Sequence, residues 1–154
     1  ASLFRASCGI GGICANGDES DVELLESYGY DLGMAFQIQD DILDIFGDER
    51  SFGKKIGKDI LERKGGNIVI LLALEELGSR NERELSGILA KEKISQEDVK
   101  RAVSMIKMTD AGKRAQKMGE EYLSRAKEVL GKLPRNEWNG TLDALADFVI
   151  ERNK

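Results

Sequence analysis

An all-α helical bundle is the fold class this sequence predicts, and three observations carry the expectation. Proline occurs once, at Pro134, in 154 residues. Apolar residues recur mostly at helical rather than alternating spacing. A composition of 41% apolar and 33% charged side chains describes a globular chain with a core of its own. With no internal repeat and no low-complexity linker, residues 1–154 read as a single all-α segment.

The first helix is expected over residues 1–15, where Ala6, Ser7, Gly9, Gly11, Gly12 and Ala15 let a neighbouring helix backbone come close. This stretch lacks the basic flank and initiator methionine of a secretion signal, and the chain is expected to begin at a cut. A turn at Asn16-Gly17-Asp18 leads into a long helix over residues 21–46. An irregular glycine- and lysine-rich stretch over 47–59 precedes an apolar helix at 68–77. Shorter helices follow at 81–91 and 95–107, the second opened by Ser95 and Asp98 in the pattern of a capping box. A polar amphipathic helix at 110–131 is stopped by Lys132-Leu133-Pro134, and a last helix covers 136–152.

Composition removes several function classes. The chain has no histidine, so Ser-His-Asp triads, Cys-His nucleophile pairs and His-ligated zinc are excluded. Cys8 and Cys14, six apart on one expected helix, are poorly placed to pair. A reducing cytosol, hence a cytoplasmic location, is the natural setting. A net charge of −5 argues against duplex nucleic acid as partner. No apolar run approaches the roughly 20 residues of a membrane span. The charge is uneven: residues 1–48 hold one basic side chain, Arg5, against ten acids, whereas the remainder holds 22 basic and 18 acidic ones. Such polarity fits a cation site facing an anion site, and it equally fits ordinary variation among surface helices.

On the long helix, with Gln37 at zero and about 100° per residue, Asp40 falls near ~300°, Asp41 near ~40° and Asp44 near ~340°. The four polar groups share one stripe, and Ile38, Ile42, Leu43, Ile45 and Phe46 take the rest of the circumference. Like charges four apart repel, the more so in apolar surroundings, so something should compensate them. A hard divalent cation is one candidate, because Mg²⁺ takes oxygen ligands and is usually held by one or two carboxylates, waters and substrate phosphates. A solvated acidic face is the other. An EF-hand fits worse, because no loop starting at Asp40 or Asp44 has the ligand pattern, mid-loop glycine and closing glutamate.

Downstream, Gly53-Lys54-Lys55-Ile56-Gly57-Lys58-Asp59-Ile60-Leu61-Glu62-Arg63-Lys64 belongs to a stretch with six basic side chains between Arg50 and Lys64. Alone it reads as a soluble loop, and it lacks the Walker A spacing. Beside the acidic stripe it supplies what binding a diphosphate through Mg²⁺ requires, lysine being a point charge that adapts to a moving anion.

Gly33-Met34-Ala35-Phe36-Gln37-Ile38-Gln39-Asp40-Asp41-Ile42-Leu43-Asp44 resembles the second aspartate-rich motif of the trans-isoprenyl diphosphate synthases, the polyprenyl synthetases of the farnesyl and geranylgeranyl type. The Gly-Lys-x-x-Gly-x-Asp-Ile-x-x-x-Lys from Gly53 to Lys64 is similar to that family's basic segment. The opening Ala1-Ser2-Leu3-Phe4 and the closing Leu133-Pro134 with Leu142, Leu145, Phe148, Val149 and Arg152 extend the likeness along the chain, as the C-terminal half of a larger isoprenoid synthase domain.

The resemblance implies Mg²⁺-dependent prenyl transfer, in which an allylic diphosphate loses pyrophosphate and isopentenyl diphosphate attacks the carbocation. It implies Asp40 as the most direct Mg²⁺ ligand, Asp41 and Asp44 ligating directly or through water, Gln37 at the allylic diphosphate, and Lys54 and Lys64 on its phosphates. It also implies a homodimer. Asp59 matches the motif, with a role at the site or as a helix cap or lysine partner. Phe36 is expected to pack. Gly65-Gly66-Asn67-Ile68 departs from the Thr and Pro that the family often has after the last lysine. The first aspartate-rich motif is absent from this sequence, so residues 1–154 alone are expected to be inactive. Product length is not legible, because the residues that set it lie near that first motif. A non-catalytic helical subunit with the same fold is the alternative, and a terpene cyclase, which should not need the basic segment, is a third reading. Met105, Ile106, Met108 and Met118 are expected to fill core. Trp138 could line an interface or cover the core, and nothing selects between Tyr28 and Tyr30 for a cavity.

Overall fold

The computed structural model describes residues 1–47, 56–62 and 66–151, and the side chains of all of these but Ile150 and Glu151. Every regular element among the described residues is helical: α1 (Ser2–Cys14), α2 (Glu19–Phe46), α3 (Lys58–Leu61), α4 (Ile68–Glu76), α5 (Ser79–Leu89), α6 (Gln96–Ile106), α7 (Ala111–Leu130) and α8 (Asn139–Glu151). The expected helices are all present. The one addition is α3, a single turn inside what the sequence presents as irregular chain. No described helix is long and apolar enough to cross a membrane.

The chain divides into two compact units, Ala1–Gln39 with Lys117–Lys154, and Asp40–Gln116. In the first, α1 and α2 turn back on each other through Asn16, whose φ of 55° is the left-handed conformation that asparagine tolerates. The small residues of α1 act as expected at Gly9 and Gly12, where an added Cβ would meet Glu26 Cγ at 2.8 Å and Leu25 Cδ1 at 2.9 Å. The reciprocal positions on α2 are Gly29 and Gly33. A Cβ on Gly29 would lie 2.6 Å from the Phe4 carbonyl oxygen, and one on Gly33 would lie 2.6 Å from Ala1 Cα. Phe4 and Phe36 fill the space beside this seam with ring centroids 5.2 Å apart.

Tyr28, Leu32, Ala35, Ala126, Leu130, Ala146 and Val149 form the core of this unit. Tyr28 is wholly buried, and its hydroxyl donates to the Leu142 carbonyl at 2.7 Å. Burial, reinforced by Cys8 and Asp143, pushes that phenol well above its ordinary pKa. Tyr30 is exposed. The buried Asp31 accepts from Arg125 Nε at 3.3 Å, and the Arg125 guanidinium also stacks over the Tyr122 ring. Both cysteines are free.

In the second unit α6 packs against α3, α4 and α5. Its Val99, Ala102, Val103, Met105 and Ile106 are buried, and Ser95 and Asp98 form the expected reciprocal capping box. Met108, expected in the core with Met105 and Ile106, is 67% exposed. It lies past the end of α6, where the helical period that aims Met105 inward no longer applies. Trp138 is exposed as well.

The helix seam makes a paired prediction. Gly29→Ala should destabilise the chain by about 1–3 kcal/mol, because backbone of α1 stands where the methyl must go. Gly11→Ala, with nothing within 4 Å of the added carbon, should be neutral or stabilise by up to about 1 kcal/mol through helix propensity. Urea midpoints of the two variants decide it, and an unchanged midpoint for Gly29→Ala would refute the close approach.

Candidate functional site

The acidic stripe of α2 lies mostly in the second unit, and its three aspartates differ in what they touch. Asp41 is 3% exposed. Its Oδ2 accepts the Ile68 N–H at 2.7 Å, the first N–H of α4. Asp44 is half-buried, with Oδ1 accepting from the Lys58 N–H at 2.9 Å and Oδ2 from the Asp59 N–H at 3.2 Å, both in the first turn of α3. Two carboxylates on neighbouring turns of α2 thus receive the orphan donors of two later helices, where the helix dipoles also favour negative charge. Asp40 is half-buried. Gln37, in the first unit, is exposed.

Asn67 joins these groups and was not singled out from the sequence. It is 3% exposed. Its Oδ1 accepts from the Val69 N–H at 3.0 Å and the Ile70 N–H at 3.3 Å, capping α4. Its Nδ2 donates to the Asp41 carbonyl at 3.3 Å and to Asp59 Oδ2 at 3.1 Å. An asparagine directly before an apolar helix is an N-cap signal, so the capping half of this role was legible. The bridging half was not. Asp59, left open between a role at the site and one as a helix cap or lysine partner, accepts from Asn67 through its side chain.

Gly57 brings the chain back to α2. Its N–H donates to the Asp44 carbonyl at 2.7 Å, its φ is 74°, and Val99 of α6 occupies the place of a Cβ. Only glycine meets all three conditions. Lys58 is exposed and pairs with Glu62 at 3.4 Å, one turn on. Lys54 and Lys64, the cations expected on the phosphates, lie outside the described residues.

Electrostatics set Asp44 apart. Burial raises its carboxyl from the ordinary value of 3.8 to about 6, the charges of Asp59 and Asp41 add to the rise, and the N–H groups of Asp59 and Lys58 only partly offset it. No group of three or more His, Cys, Asp or Glu side chains among the described residues is placed to hold a metal ion.

A family model described as polyprenyl synthetase matches residues 1–106. The heptaprenyl diphosphate synthase component 2 of Geobacillus stearothermophilus is 33% identical over 153 residues, which cover 99% of this chain and 46% of that protein. The short chain isoprenyl diphosphate synthase of Methanocaldococcus jannaschii is 34% identical over 152 residues, covering 98% of this chain and 45% of that protein. Among solved structures, the polyprenyl synthase of Caulobacter crescentus complexed with calcium and isoprenyl diphosphate superposes with a TM-score of 0.85 at 32% identity, over 100% of this chain and 47% of that one. The chain spans about half the length of the relatives it matches.

Asp44 makes a pH prediction. Its folded pKa lies above the unfolded value of 3.8, so protonation favours the folded state. Its contribution to stability grows as pH falls from above about 6 towards 4 and is lost as pH rises again. Carbon-13 titration of the Asp44 carboxyl in metal-free buffer should give a midpoint near 6. A midpoint at the ordinary aspartate value would contradict the crowding of negative charge described above.

Proposed function

The chain belongs to the polyprenyl synthetase family, and we propose that it forms the diphosphate-ionising part of a prenyl transfer site, in which an allylic diphosphate is condensed with isopentenyl diphosphate. The observation that carries this reading is the row of Asp40, Asp41 and Asp44 on α2, with Asp41 buried and the other two half-buried, followed in sequence by six basic side chains between Arg50 and Lys64. A cluster of that kind costs stability, and a divalent cation with a diphosphate would relieve it. The calcium and isoprenyl diphosphate bound by the Caulobacter crescentus relative support the same pairing of ligands.

In this reading Asp40 is the most direct ligand of Mg²⁺. Asp41 and Asp44 hold the negative potential behind it and reach the ion through water. Gln37 orients the allylic diphosphate, and Lys54 and Lys64 bind its phosphate oxygens as point charges. A bound Mg²⁺ supplies neutralisation of the leaving pyrophosphate. The burial of Asp41 and the half-burial of Asp40 and Asp44 raise the strength of charge interactions among them. The relatives are about twice as long as this chain, and a homodimer is part of the proposal.

Two outcomes are expected. Residues 1–154 alone, with one aspartate-rich motif, should give no turnover with isopentenyl and dimethylallyl diphosphate; measured prenyl transfer would overturn that. Asp40→Ala should weaken Mg²⁺-dependent binding of the allylic diphosphate by about tenfold or more, read by calorimetric titration. Unaltered binding in the variant would remove Asp40 from the metal site.

A further inference from the structure

We propose that Asp44 and Asn67 are positioning residues, which fasten the two described flanks of the lysine-rich segment, residues 56–59 and 66–70, to consecutive turns of α2. The inference rests on the reading of the site given above and divides its acidic stripe by role. Asp44 accepts one backbone N–H on each carboxylate oxygen, and its own carbonyl accepts the Gly57 N–H at 2.7 Å. Three consecutive residues, Gly57, Lys58 and Asp59, are therefore tied to one residue of α2. One turn back, Asp41 receives Ile68 through its carboxylate and Asn67 through its carbonyl.

Asn67 closes the circuit, because its Nδ2 also reaches Asp59. Both ends of the Asn67 amide are used twice, oxygen towards α4 and nitrogen towards Asp41 and Asp59. Only an amide has two acceptor sites and two donors in this arrangement. An aspartate there would keep the helix cap and place a second carboxylate against Asp59.

The roles separate cleanly. A metal ligand acts through charge, whereas an anchor acts through acceptor geometry, which a neutral oxygen partly supplies. Amide hydrogen exchange by NMR on the 154-residue chain, with and without Mg²⁺ and inorganic pyrophosphate, tests it. Asp44→Ala should speed exchange at the Lys58 and Asp59 amides by roughly tenfold or more, and Asp44→Asn should recover part of that loss. Asn67→Asp should leave the Val69 and Ile70 amides protected while exposing those of Lys58 and Asp59. Asp40→Asn should leave all of them protected and reduce Mg²⁺-dependent pyrophosphate binding, measured by calorimetry, more than Asp44→Asn does.

Unchanged exchange at Lys58 and Asp59 in Asp44→Ala would overturn the proposal. So would an Asp44→Asn chain whose amides stay protected while its pyrophosphate binding falls as far as that of Asp40→Asn. If Asp44→Ala does not fold, the Asp44→Asn and Asn67→Asp spectra decide alone. If the unaltered chain binds no pyrophosphate, the functional reading fails, and the exchange rates still decide the anchoring.

Discussion

A carboxylate withdrawn from water must find donors or lose its charge, and this chain places the buried Asp41 and the half-buried Asp44 one turn apart on α2. Desolvation of an unpaired carboxylate costs several kcal/mol, far more than one hydrogen bond returns. The N-terminal turns of α3 and α4 supply the donors, since their first N–H groups have no partner within their own helices. Each requirement satisfies the other. The path of the chain after Gly47 follows: it has to come back to Asp44 at residues 57–59 and to Asp41 at residues 67–68. Helix α4, apolar on nearly every side, is anchored by the same bonds at its N-terminal end.

The arrangement leaves an electrostatic residue. Asp41, Asp44 and Asp59 are close enough for the charges of the other two to help raise the Asp44 carboxyl, and backbone donors offset that rise without cancelling it. A fold selected for stability alone would relieve such crowding with an apolar or amide side chain, as replacement of buried charges commonly does. Retaining three carboxylates beside a lysine-rich segment fits a site completed by a cation and an anion together.

Most of the fold was legible because helical periodicity, one proline and local capping chemistry are properties of neighbouring residues. The Ser95–Asp98 box, the turn at Asn16 and the stop after Leu130 are of this kind. The stripe itself was legible, since helix geometry alone puts Asp40, Asp41 and Asp44 together. What each carboxylate meets was not, because Ile68 and Asp59 reach α2 from 27 and 15 residues away. The close approach of α1 was read from its own glycines, whereas Gly29 and Gly33 stood unnoticed in a helix judged by its charges. Met108 failed for a simpler reason: periodicity was extended past the end of α6, and the side chain beyond it faces solvent.

The proposed site requires a divalent cation on α2. Anomalous diffraction from crystals of the chain grown with Mn²⁺ and pyrophosphate measures that directly. The expected result is a peak within about 2.0–2.2 Å of an Asp40 carboxylate oxygen, with the Lys58 and Asp59 N–H groups still on Asp44. A peak held by both Asp44 oxygens with those N–H groups displaced, or no peak along α2 at all, would contradict it.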